Sequence, residues 1–171
     1  MGVVPQYAEL FTGTIADNIL WGNPDATDAE IRRAAAMAQA AEFIERLPAG
    51  YDSPVERGGA NFSGGQKQRL TIARALVRHP RILILDDASS ALDYATDAAL
   101  RKAIDTEIRA GDSLTVFVVS QRVSTVRRCG LILVMDDGRL AGAGTHEELL
   151  ISCPVYREIC DSQQSDKEET A

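Results

Sequence analysis

Two aspartates, Asp86 and Asp87, follow directly on the apolar run Ile82-Leu83-Ile84-Leu85, with a Ser63-Gly64-Gly65-Gln66 turn upstream. A short run with no alternation predicts a parallel strand covered on both faces, and open α/β sheets hold their ligands at the carboxyl ends of such strands. A carboxylate there can orient Mg²⁺ through water, because that ion keeps much of its hydration shell. The upstream turn supplies the complementary chemistry. Ser63 and Gln66 have capping-box spacing, and Gly64 and Gly65 lack the β-carbons that would keep a phosphate from the free N–H groups of a helix start. Each feature has an ordinary counterpart, since small-residue turns cap helices that hold no ligand and paired aspartates open solvated turns. Their order along one chain points to a phosphate-and-magnesium site.

The elements that must position these groups are legible in outline. Leu70, Ala73, Leu76 and Val77 recur at helical spacing behind the glycines, and His79 before Pro80 predicts the helix end. Thr27 and Glu30 form another capping box, opening an expected helix over 28–47. Ile31, Ala34, Ala38, Ala41 and Ile44 are its expected buried stripe, and Pro48 with Gly50 ends it. Residues 1–5 read as a strand entering a loop at Gln6. Beyond Ser90-Ala91-Leu92-Asp93, the residues Leu100, Ile104 and Ile108 mark a helix ending near Gly111. An apolar strand over 114–119 precedes Ser120-Gln121-Arg122. Stretches 131–135 and 139–143 read as strands about a tight turn, and Thr145 with Glu148 caps a short helix. The polar, charged stretch 162–171 is expected to be disordered.

With 171 residues the chain can bury one core and has no room for a large second domain. Its 45% hydrophobic and 25% charged content is ordinary for a globular protein. A net charge of −7 and a pI near 4.8 argue against nucleic acid and against direct binding to an anionic bilayer. No apolar run approaches the ~18 residues a membrane span needs, and no signal peptide is expected. Cys129, Cys153 and Cys160 are odd in number and lack metal-ligand spacing, which suits reduced thiols in the cytosol.

The stretch from Asn61 to Asp93 resembles the signature motif, Walker B strand and D-loop of an ABC-transporter nucleotide-binding domain. Gln6 with Phe11-Thr12-Gly13-Thr14-Ile15-Ala16-Asp17-Asn18-Ile19 resembles the Q-loop of exporter-type members and the segment after it. Val55-Glu56-Arg57-Gly58-Gly59 resembles a loop that exporters use at the membrane-domain contact, and Thr145-His146-Glu147-Glu148-Leu149-Leu150 is a weaker match. The resemblance implies an α/β fold, a P-loop NTPase (RecA-like) parallel-sheet core incomplete at its N-terminus, with an inserted α-helical subdomain. It implies residues 1–7 as core strand and Q-loop, 8–79 as helical subdomain, 80–160 as the C-terminal part of the core, and 161–171 as a disordered tail. It also implies ATP and Mg²⁺ as cofactors. Asp86 and Gln6 would meet the metal, and Gln6, Ser63, Gly64, Gly65, Gln66 and Asp93 the nucleotide. Asp87 and Gln121 would take the catalytic positions. The implied partners are a second ABC ATPase domain and the transmembrane domain of an exporter, with no nucleic acid and no direct membrane insertion. The implied location is the cytoplasmic side of the cell membrane, held there through that transmembrane domain.

Three departures bear on mechanism. The family usually has glutamate at the place of Asp87 and histidine at that of Gln121, and this chain's only histidines are His79 and His146. Aspartate falls short by roughly one carbon–carbon bond, about 1.5 Å. Glutamine can donate a hydrogen bond but carries neither a proton nor a charge. Together the two resemble the degenerate half of a heterodimeric multidrug-type exporter, which hydrolyses ATP slowly at its own site while its signature completes the partner's competent one. The third departure is that no G-x-x-x-x-G-K-[ST] run occurs, since Lys67, Lys102 and Lys167 are the only lysines and none precedes Ser or Thr. The expectation is an exporter ATPase fragment whose P-loop lies upstream, inactive by itself. Two alternatives stay open: a non-enzymatic partner module contributing only its signature face, and a soluble ABC ATPase of the DNA-maintenance type. The segment from Gln6 to Ile19 and the acidic charge disfavour the latter.

Overall fold

The computed structural model describes residues 1–109 and 114–168, and the chain divides into two units, Met1–Val119 and Ser120–Ala171. In the first, β1 (Gly2–Val4) leads to β2 (Gly13–Thr14), α1 (Ile15–Leu20), α2 (Asp28–Met37) and α3 (Ala41–Glu45). Then come β3 (Pro54–Val55), paired antiparallel with β2, and α4 (Gly64–Leu76). β4 (Ile82–Asp86), α5 (Tyr94–Arg109) and β5 (Thr115–Val119) complete the unit. β4 lies between β1 and β5, all three parallel, with Val3 opposite Ile84 and Ile84 opposite Phe117. Helices and sheet share one apolar core: Ile31, Ile44 and Leu70 belong to the same buried cluster as Val4, Leu83 and Leu85. The border between helical subdomain and core expected near residue 80 lies inside this first unit.

Two expectations about these elements are corrected. The helix over 28–47 is two helices, because Gln39 turns left-handed (φ 58°) and the Ala40 N–H bonds the Ala35 carbonyl at 2.7 Å. The break lets Ala38, Ala40 and Ile44 all reach the core, which a straight helix would not allow. The second correction concerns β4, which has a strand on each edge but only one covered face. Val4, Leu83 and Leu85 are buried, whereas Val3, Ile82, Phe117 and Val119 on the other face are 40–54% exposed. Parallel strands bury both faces only where a layer packs on each side, and within this unit helices supply one.

The second unit contains α6 (Val123–Val126), the antiparallel pair β6 (Ile132–Asp136) and β7 (Arg139–Gly144), α7 (His146–Ser152) and α8 (Pro154–Glu168). Asp137 (φ 44°) and Gly138 (φ 72°) are both left-handed, as a two-residue hairpin turn requires. Ile132, Val134, Leu149, Cys153, Tyr156 and Cys160 form its core. Burial there pushes the Tyr156 hydroxyl up to about 12 and raises the Cys160 thiol. Residues 161–168 continue α8, correcting the expectation of a disordered tail from residue 161. The Gln163 side chain anchors that helix, donating to the Gln121 carbonyl (2.7 Å) and accepting from the Val123 N–H (2.9 Å). Residues 169–171 lie outside the described residues, as does the expected helix end near Gly111.

Candidate functional site

The strand β4 delivers Asp86 and Asp87 to its carboxyl end as its period requires. Asp86 is exposed and shares a face with Ile82 and Ile84, and Asp87 is half-buried. Asp87 adopts φ 44°, uncommon for a residue with a side chain, and its backbone is held on both sides. Its N–H donates to the Val119 carbonyl at 2.9 Å, and its own carbonyl accepts from the Ser90 N–H (3.1 Å) and hydroxyl (2.8 Å). The carboxylate of Asp87 accepts from Gln6 Nε2 at 3.4 Å, so the fold joins two of the expected site residues that are 81 positions apart.

Upstream, the Ser63 hydroxyl accepts the Gln66 N–H (3.3 Å) and Gln66 Oε1 accepts the Ser63 N–H (2.9 Å), the expected capping box at the start of α4. The two glycines differ in what they leave open. A β-carbon on Gly65 would stand 3.1 Å from the Ala91 carbonyl, so the Ser90–Asp93 turn packs against this position. One on Gly64 would meet nothing within 4 Å, so its bare backbone faces open space. Asp93 accepts both the N–H (2.9 Å) and the hydroxyl (2.7 Å) of Thr96 at the head of α5, and those bonds hold its carboxyl below the usual range. Its carboxylate is thus engaged in capping α5. Gln121 belongs to the second unit, where its carbonyl receives Gln163 and its side chain is exposed.

Among the described residues no group of three His, Cys, Asp or Glu side chains converges on a metal position. An Asp86 carboxylate and a Gln6 amide oxygen suit Mg²⁺, which is commonly held by one or two carboxylates together with substrate phosphates and water.

The family model described as "ABC transporter" matches residues 1–90, which include β1, Gln6, the Ser63 turn and both aspartates. The chain belongs to the ABC transporter family. An ABC transporter ATP-binding protein of Bacillus subtilis, YfiB, is 47% identical over 163 residues, 95% of this chain and 28% of that protein. The β-(1→2)glucan export ATP-binding/permease protein NdvA of Rhodopseudomonas palustris is 46% identical over 99% of this chain and 28% of its own length. Among solved structures, a bacterial Atm1-family ABC exporter with ATP bound superposes with TM-score 0.88 at 42% identity, covering 95% of this chain and 28% of that one. The fold is that of part of the P-loop NTPase domain of such ABC ATPases, and the chain spans less than a third of the length of these relatives.

The segment after Gln6 is held by Arg74, which sequence reasoning passed over, together with Asn18 and Phe11 of the Phe11–Ile19 stretch. Arg74 on α4 donates to the Asn18 carbonyl and Asn18 Oδ1 (both 2.8 Å) and to the Glu9 carbonyl (2.9 Å), and stands 4.9 Å over the Phe11 ring. Asn18, fully buried, in turn brackets the Phe11 backbone with two 2.8 Å bonds. Phe11 stacks on Trp21, with ring centroids 4.3 Å apart. These rings, with exposed Tyr7, border a groove of about 550 Å³. Arg74 carries no sequence signal for this, because the groups it bonds lie 56 and 65 residues away. Among the described residues no helix is long and apolar enough to cross a membrane.

Proposed function

We propose that this chain is part of the slow ATPase half of a heterodimeric ABC exporter, working with Mg²⁺-ATP. One observation carries the reading: Asp87 is shorter than the family's glutamate and sits on a backbone pinned at both its N–H and its carbonyl. A pinned main chain cannot advance to restore the reach lost with one methylene. A positioned general base contributes on the order of 10²- to 10⁴-fold, and a misplacement of about 1 Å can cost ~100-fold. Gln121 weakens the same step, since it offers a γ-phosphate a hydrogen bond but no charge.

In this reading Asp86 and Gln6 hold Mg²⁺, which neutralises phosphate charge, and the Ser63–Gln66 turn presents its free N–H groups to nucleotide bound on a second ATPase domain. The groove beside Phe11 and Trp21 takes the transmembrane domain of the exporter, which puts the chain on the cytoplasmic side of the membrane. The bound ATP of the Atm1-family neighbour and the exporter relatives support this assignment. The decisive experiment is Asp87→Glu with Gln121→His in the complete transporter and its natural partner. Site-resolved hydrolysis should rise at least about tenfold, a gain kept well below the 10²- to 10⁴-fold range of a general base because neighbouring groups have drifted too. Unchanged turnover at this site would sink the proposal.

A further inference from the structure

Gln68 lies on α4, two residues past the capping box, and is only 1% exposed. A buried amide costs stability unless it finds a partner, and an apolar residue of the same length would fill the space more cheaply. Its Nε2 donates to the Pro5 carbonyl at 3.2 Å, a bond spanning 63 residues. Pro5 stands between β1 and Gln6, so the bond fixes the point at which the strand gives way to the loop.

A second close contact fixes the other end of β1. A β-carbon on Gly2 would come within 2.9 Å of the Ala75 carbonyl on α4. From Gln68 to Ala75 the helix rises ~10.5 Å. From Gly2 to Pro5 the strand advances ~10 Å. The two lengths match, so β1 runs antiparallel along α4 and is held at both ends. Any movement of α4 along its axis therefore carries the Pro5 carbonyl with it. The next side chain, Gln6, is the one that reaches the Asp87 carboxylate at 3.4 Å.

We propose that Gln68 is a positioning residue: it ties the helix begun by the Ser63 turn to Gln6, and through Gln6 to the carboxylate and metal end of the same chain's site. Nucleotide contacts at the Ser63 turn and the metal contacts at Asp86 and Gln6 are thereby linked by one hydrogen bond and one strand end. The inference rests on the reading of Gln6 as a magnesium contact.

The test is a double-mutant cycle in the complete transporter, reading the Mg²⁺ concentration that half-activates ATP hydrolysis at this site. Gln6→Ala should raise that concentration about tenfold, the low end of what loss of a metal's supporting contacts costs. Gln68→Met should raise it severalfold without touching the metal, and the two together should do no more than Gln6→Ala alone. Ile72→Val, buried on the same helix, should leave it unchanged and so reports what simple loosening of α4 does. Hydrogen exchange over residues 1–9 should quicken in Gln68→Met and not in Ile72→Val. Gln68→Asn, which keeps the amide but shortens its reach, gives the same answers where Gln68→Met fails to fold. Half-activation unmoved by Gln68 variants while Gln6→Ala shifts it, or additive effects in the double variant, would overturn the inference alone. No effect of Gln6→Ala would overturn the magnesium reading and this inference with it.

Discussion

Ser63 accepts one hydrogen bond and its backbone donates another, so replacing it with alanine costs a cap, about 1 kcal/mol of stability. If the turn serves a partner's nucleotide, Ser63→Ala lowers turnover at the partner's site far more than that loss of folded protein explains. Equal activity per folded dimer before and after the change would rule the trans role out. Residues of this kind were legible because their interaction is local: serine and glutamine three apart define the cap without any tertiary partner. Asp86 and Asp87 were legible for a related reason, since an apolar strand announces its own end. Gln68, Asn18 and Arg74 were not. Each has a partner far along the chain, 63 residues away for Gln68 and 56 for the Arg74–Asn18 pair, and such a partner leaves no trace in the local sequence. Asp93 shows the converse, a residue assigned to nucleotide by resemblance whose visible bonds go to Thr96.

Helix starts show how far spacing reaches at the next scale. The boxes at Thr27, Ser63 and Thr145 form as expected, and a fourth forms at Thr14 with Asp17 in place of the usual Glu or Gln. The Thr14 N–H and hydroxyl hold the Asp17 carboxyl below its ordinary value of 3.8, and the same groups of Thr27 hold Glu30 below 4.5. A carboxyl depressed by folding contributes stability that is present above its unfolded pKa and lost as pH falls through the folded one. Asp17→Asn should therefore lower Tm at pH 7, and the gap from the unmodified chain should close once pH drops well below 3.8. Trp21, the only tryptophan, follows α1 directly and reports its melting by fluorescence. A gap that persists unchanged at pH 2.5 would show that the charge on Asp17 is not what the cap uses. The break at Gln39 escaped the sequence because alanines dominate both sides of it. Small side chains permit several helix rotations, and only packing against α4, where Arg69 takes the Gln39 carbonyl at 2.8 Å, selects the broken one.

Among the described residues, each unit exposes apolar side chains on or beside a sheet face. Val3, Ile82, Phe117 and Val119 line one side of the parallel sheet, and Leu131, Leu133, Met135 and Leu140 are exposed on or beside the hairpin. Open apolar sheet faces beside unpaired edges favour association, so the 171-residue chain should self-associate at micromolar concentration. Phe117→Ser with Val119→Ser removes on the order of 3 kcal/mol of burial from such a contact. That should weaken association about a hundredfold in sedimentation measurements. The same chain should show no saturable ATP binding in the micromolar range. Asp86 and Gln6 offer magnesium contacts, but the net charge is −7 and none of the three lysines lies in a glycine loop that could cradle a triphosphate. Carboxylates without that cradle repel ATP, whose phosphates need fixed N–H groups and a cation before metal contacts count. A monodisperse chain with Mg²⁺-dependent micromolar ATP binding by calorimetry would contradict this. It would mean that the Ser63 turn and the β4 end bind nucleotide within one molecule, and that the division of labour between two ATPase domains proposed above is wrong.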